Sequence, residues 1–193
     1  FSSHNNARYG AVVDGFDSIG GPKVNIVGRD IRALGVNVEM LKVDVIELGK
    51  RKPAIADKKF RYILDTSASL PVRYFLAHHA KLSACLMHCI LFGKATMGIL
   101  AIEGKERCVR VDDLMAYTNT LCVKDDRVQK AMYDGTITRE SFGDGCSSAT
   151  TIMDDIGLSV LSTALAGKVS QYTGDNTVSD EGRINFGHLD KDY

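Results

Sequence analysis

The chain has no tryptophan, three prolines among its 193 residues, and no excess of either charge. Scarce proline and absent tryptophan argue against a turn-rich sandwich and for a domain containing helices. With 24 Lys and Arg against 24 Asp and Glu, the formal charge is zero. No overall field therefore draws the molecule toward nucleic acid or anionic lipid. The five cysteines, Cys85, Cys89, Cys108, Cys122 and Cys146, are odd in number and lack tight pairs. They do not make a disulfide framework and fit a reducing compartment. No HExxH, CxxC or Walker pattern occurs, neither Gly20-Gly21 nor Gly10 to Gly15 completes a dinucleotide fingerprint, and no internal repeat is found.

What is present is a substantial apolar fraction, 45%, enough for a real core. The stretch from Leu70 to Ile102 concentrates it. Pro71 suits a first helical turn, with Ser67 or Ser69 as cap. Phe75, His78, Leu82, Cys85, Cys89 and Phe92 recur at helical spacing, and Gly93 is a good stop. The reading is a central buried helix near 71–92. Leu82 to Ile102 has the length of a membrane span, but His88 and Lys94 would lie at depth. A membrane span is therefore not expected.

A β-hairpin is expected near 97–111, its strands flanking Glu103 to Glu106, with Gly104 at positive φ. Two further helices follow near 112–132 and 147–166. Asp112 and Asp113 give the first a favourably charged start. In the second, Ile152, Ile156, Val160, Thr163 and Ala164 form one face, joined by Leu158, Leu161 and Leu165. Upstream, Lys23 to Val27 reads as a short strand. Leu41 to Ile46 reads as another, with a helix over Asn37 to Leu48 as competitor. The fold class is α+β, predominantly helical. Residues 1–22 read as a polar arm, 23–172 as a single globular domain, and 173–193 as an acidic tail that orders only on a surface.

The dense positive cluster is Lys50, Arg51, Lys52, Lys58, Lys59 and Arg61. It offers a contact to phosphate or nucleic acid, against a solvated loop as the plainer reading. Cys146 lies in a glycine-rich loop before a helix, where the helix dipole would lower a thiol pKa. It is the candidate nucleophile of a small thiol-dependent enzyme, against a plain helix cap at Ser147 or Ser148. Of the histidines His78, His79 and His88, placed on the core helix, one or two read as satisfied core residues rather than metal ligands.

Tyr133 to Phe142 resembles the second half of an EF-hand calcium loop. Asp134, Gly135 and Ile137 match that family. The closing position is Ser141, however, and the earlier ligand positions hold Lys130 and Met132. With three ligands missing, the stretch reads as a helix–turn–helix joint, and no metal or cofactor is expected.

These readings converge on a non-catalytic structural or interaction subunit of a multi-protein assembly, contacting other protein subunits through the arm and the tail. Phe1 to Asn6 resembles the start of a mature mitochondrial protein. A mitochondrial complex subunit is therefore the reading ahead of a viral coat subunit. The alternatives are a nucleic-acid-coating protein using 50–61 and a thiol enzyme using Cys146.

Overall fold

The computed structural model describes residues 22–51, 60–79, 82–133, 139–140, 150–151, 155–174 and 181–189. They belong to two compact units, divided between Arg51 and Lys52. The arm at 1–22 lies, except for Pro22, outside the described residues.

In the first unit, α1 (Lys23–Ala33) follows Pro22, and α2 (Val45–Arg51) follows Asp44. Asp44 Oδ1 accepts from the amides of Ile46 and Glu47 at 2.7 and 3.2 Å, capping α2. Gly35, at φ 79°, ends α1 as a left-handed residue and returns its amide to Arg32 O. The strand expected over Lys23 to Val27 is therefore the first half of a helix. Its register buries Ile26 and Gly28, and the Met40 side chain lies against Gly28 where a Cβ would stand. The strand expected over 41–46 is a loop that ends in α2.

The second unit is built on a four-stranded mixed sheet in the order β1-β2-β3-β6. Its strands are β1 (Tyr62–Asp65), β2 (Cys85–Phe92), β3 (Met97–Ile102) and β6 (Arg183–His188). β1 runs parallel to β2, whereas β2–β3 and β3–β6 are antiparallel. The helices are α3 (Leu70–His78), α4 (Val111–Leu121), α5 (Asp126–Tyr133) and α6 (Asp155–Gly174), and a separate two-residue pair joins β4 (Arg139–Glu140) to β5 (Thr150–Thr151).

This architecture overturns the predominantly helical expectation and its central helix near 71–92. The helix stops at His78, and Cys85 to Phe92 is a strand. That strand is covered on both faces, so it reads as a continuous apolar run, which periodicity cannot separate from a buried helix. The hairpin is also displaced. The partner of Met97–Ile102 is β2, joined through Gly93 to Thr96, and Gly104 has φ −70°. Positive φ falls instead on Gly93, Lys94 and Ala95 in that turn, and on Glu106 and Arg107. The helix expected over 112–132 is two helices separated at Cys122 to Asp125. Asp125 Oδ1 accepts from the Arg127 amide at 2.9 Å and starts the second one. The helix expected near 147–166 lies at Asp155–Gly174, and Ile184 and Phe186, placed in the tail from sequence, lie on β6.

One sheet face carries Cys85, Met87, Leu100 and Ile102 against Leu165 and Tyr172 of α6. Gly98 and Gly187 are paired neighbours on this face. A Cβ on Gly98 would stand 2.8 Å from Leu165, and one on Gly187 would stand 3.0 Å from Leu161. The two glycines thus form a notch into which α6 seats. The buried side of α6 is Leu161, Leu165 and Tyr172, while Ile156 and Val160, expected inside, are exposed. α3 and α4 pack against the strands on the other side, where β2 presents Leu86, His88, Ile90 and Phe92.

Candidate functional site

Three polar constellations lie on or beside this second face. The first joins β1 to β2. His88 is 1% exposed and lies opposite Asp65 in the parallel register. Its Nδ1 is 2.9 Å from Asp65 Oδ2, and the other Asp65 oxygen accepts from the Ser67 amide at 2.9 Å. Burial pushes the Asp65 carboxyl up, but the bonds from His88 and Ser67 outweigh it and hold the group below its ordinary value. An imidazole on a carboxylate is half of a nucleophile-activating set. The other half is missing among the described residues: His88 Nε2 is buried and bonded to nothing. Cys89, next in sequence, projects to the opposite face.

The second constellation is a buried ion pair. The Glu103 residue is 0% exposed, and Arg107 Nε donates to Glu103 Oε2 at 2.7 Å. A second guanidinium nitrogen donates to Glu103 Oε1 at 3.1 Å, making the pair bidentate. Glu103 also accepts from the amides of Leu86 and Val111 at 3.1 and 3.2 Å. Arg107 donates to Leu76 O and Ala77 O, both at 2.8 Å, and to His79 O at 3.0 Å. Arg110 adds a bond to Ala77 O at 2.7 Å. Two arginines thus cap the carbonyl end of α3, which explains why the helix stops there. These bonds also hold Arg107 at a left-handed φ of 58°, a conformation that needs support from its surroundings. Both charges are taken up by each other and by the chain's own backbone, and the pair ties these elements together.

The third constellation is accessible. A cleft of about 340 Å³ opens between α3, β2, α4 and α5. Its apolar lining comes from Ile90, Phe92, Met115 and Met132, and its polar edge from Arg73, Asp112 and Asn119. Arg73 Nε donates to Asp112 Oδ1 at 3.0 Å, and His78 Nε2 lies 3.0 Å from Asp112 Oδ2. The His78 ring is tilted against Tyr74, with centroids 4.3 Å apart. A second cleft, of about 290 Å³, lies where Met97, Val128, Phe186 and His188 meet.

Of the residues singled out from sequence as candidate contacts, Lys50, Arg51 and Arg61 are among the described ones. Lys50 donates to Glu47 at 2.7 Å on α2, where Arg51 is the last residue. Arg61 lies in the second unit with its guanidinium 5.3 Å from the Tyr62 ring centroid. Lys52, Lys58 and Lys59 lie outside the described residues, as do Cys146 and the Asp134, Gly135 and Ile137 of the EF-hand-like run. Among the described residues, no group of three His, Cys, Asp or Glu side chains is placed to hold a metal. Nor is any helix among them long and apolar enough to cross a membrane, and within Leu82 to Ile102 the chain forms the two strands Cys85–Phe92 and Met97–Ile102.

Sequence reading passed over Asp65, Glu103, Arg107 and Asp112 as site residues. The i, i+4 spacing of Glu103 and Arg107 was the available signal. Nothing local marked Asp65 as the partner of His88, because the contact depends on the parallel β1–β2 register. No protein-family model, curated protein or solved structure matches this chain.

Proposed function

We propose that the protein is a non-catalytic interaction subunit of a larger protein assembly. The observation that supports this most is the exposure of large apolar side chains on both outer strands of the sheet. Leu64 on β1 is 46% exposed, and Phe186 on β6 is 39% exposed. An outer strand also has backbone groups on its free side that suit pairing with another chain. Ile156 and Val160, one turn apart on α6, are a further pair of exposed apolar side chains. The buried carboxylates Asp65 and Glu103 are bound internally by His88, Arg107 and backbone amides, which fits a scaffold.

The test is native mass spectrometry of the full chain isolated from its source, beside the Leu64→Lys/Phe186→Lys variant. The expected result is a stoichiometric complex with other subunits that the double variant, still folded by circular dichroism, fails to form. A stable monomer whose first and last twenty or so residues are rapidly cut by protease would overturn the reading.

A further inference from the structure

We infer that the cleft between α3, β2, α4 and α5 is a binding site for a small apolar carboxylic acid, a role separate from the assembly surfaces above. Its interior presents the side chains of Ile90, Phe92, Met115 and Met132. Two of these are methionines, whose flexible thioethers adapt to an irregular aliphatic or aryl group. The volume, about 340 Å³, lies within the range of small-molecule sites.

The polar edge then selects the headgroup. Arg73 spends Nε on Asp112, and among the described residues its two terminal nitrogens are bonded to nothing. Asp112 lines the same cleft, but each of its oxygens already has a partner, Arg73 on one and His78 on the other. That bond also fixes the plane of the guanidinium, leaving a fork of N–H donors preset for two carboxylate oxygens. Asn119 supplies a further donor. Its Oδ1 accepts from Tyr133 Oη at 3.2 Å, so the group of this side chain left without a partner among the described residues is its amide nitrogen. The cleft therefore offers an apolar interior, acceptors that each already hold a donor, and donors that have no partner among the described residues. An apolar tail with an anionic acceptor at one end matches all three.

Octanoate is a suitable probe, with octanamide and octylamine as controls, titrated into the full chain by calorimetry. The expected result is saturable one-to-one binding of octanoate, weakened roughly tenfold or more in the amide, in line with the loss of a charge-assisted bond, and no binding of the amine. Arg73→Gln is expected to weaken octanoate by a similar factor. Since Arg73 also ties α3 to α4, the second variant is Ala116→Trp, at an exposed position on the cleft edge. It should abolish binding while leaving the thermal unfolding midpoint in place. Absence of saturable octanoate binding, equal affinity for octanamide, or full affinity in Ala116→Trp would each overturn the assignment.

Discussion

The two faces of the sheet are held by different physics. The α6 face is fitted by shape: aliphatic, aromatic and thiol side chains meet Leu161, Leu165 and Tyr172, and the Gly98–Gly187 notch sets the distance. The opposite face is fitted by named bonds. There Glu103 and Arg107 tie the end of α3, the start of β2 and the start of α4 to one point. Apolar packing tolerates rearrangement if volume is kept, whereas a saturated buried ion pair accepts one arrangement of its partners. The first face therefore contributes adhesion, and the second specifies which element goes where.

Breaking the polar face should have the largest effect. Arg107→Met leaves the Glu103 carboxylate buried without its counter-charge and leaves Arg110 as the remaining side-chain cap described on α3. A loss of about 3–5 kcal/mol is expected in urea unfolding at pH 7. On the apolar face, Gly98→Val puts a branched side chain into the notch and should cost about 1–3 kcal/mol by the same measurement. A Val cost as large as the Met cost would remove the distinction between the faces.

A smaller effect sharpens the contrast through pH. The Asp65 carboxyl is depressed in the fold relative to its ordinary value of 3.8, so the unfolded chain takes up its proton first as pH falls. Its contribution is present above about pH 4 and is lost as pH falls from there through the depressed folded value. Asp65→Asn should cost about 1 kcal/mol at pH 7, the scale of one hydrogen bond, and less as the solution is acidified. Unfolding curves at pH 7 and pH 3 measure this, and a loss that grows on acidification would contradict the sign.

The smallest effect concerns reactivity alone. Burial, followed by the nearby Glu103 charge, pushes the Cys85 thiol up to about 11, and burial also raises Cys89. Cys108 is exposed. Iodoacetamide at pH 8 should alkylate Cys108 and leave Cys85 and Cys89 intact in the folded chain, with peptide mass spectrometry as the readout.

Much of the core was legible as composition but not as geometry. The apolar run from Leu82 to Phe92 is plainly interior, and Met97 to Ile102 reads correctly as a strand. The acidic start of α4 at Asp112 and Asp113 is also visible in sequence, because a cap is a local device. The choice between helix and strand for Cys85 to Phe92 was not legible. A strand covered on both sides loses its alternation, and its identity depends on β1 and β3 lying beside it. The stop after His78 was hidden for a related reason, since its caps come from Arg107 and Arg110, about thirty residues later. In the cleft, Arg73, Asp112 and Asn119 are ordinary surface letters in sequence and become a set only when α3 and α4 are side by side.

The Glu103–Arg107 pair also has a consequence in time. Every backbone group it binds lies between Leu76 and Val111, so the knot closes within one continuous stretch and needs only short loops. By contrast, β6 must bring residues from 183 onward back to a strand that begins at Met97. Loop-closure entropy favours the shorter search. The end of α3, the β2–β3 hairpin and the start of α4 form a unit that can assemble early. On that ordering, the last strand arrives at a sheet whose edge is already in place.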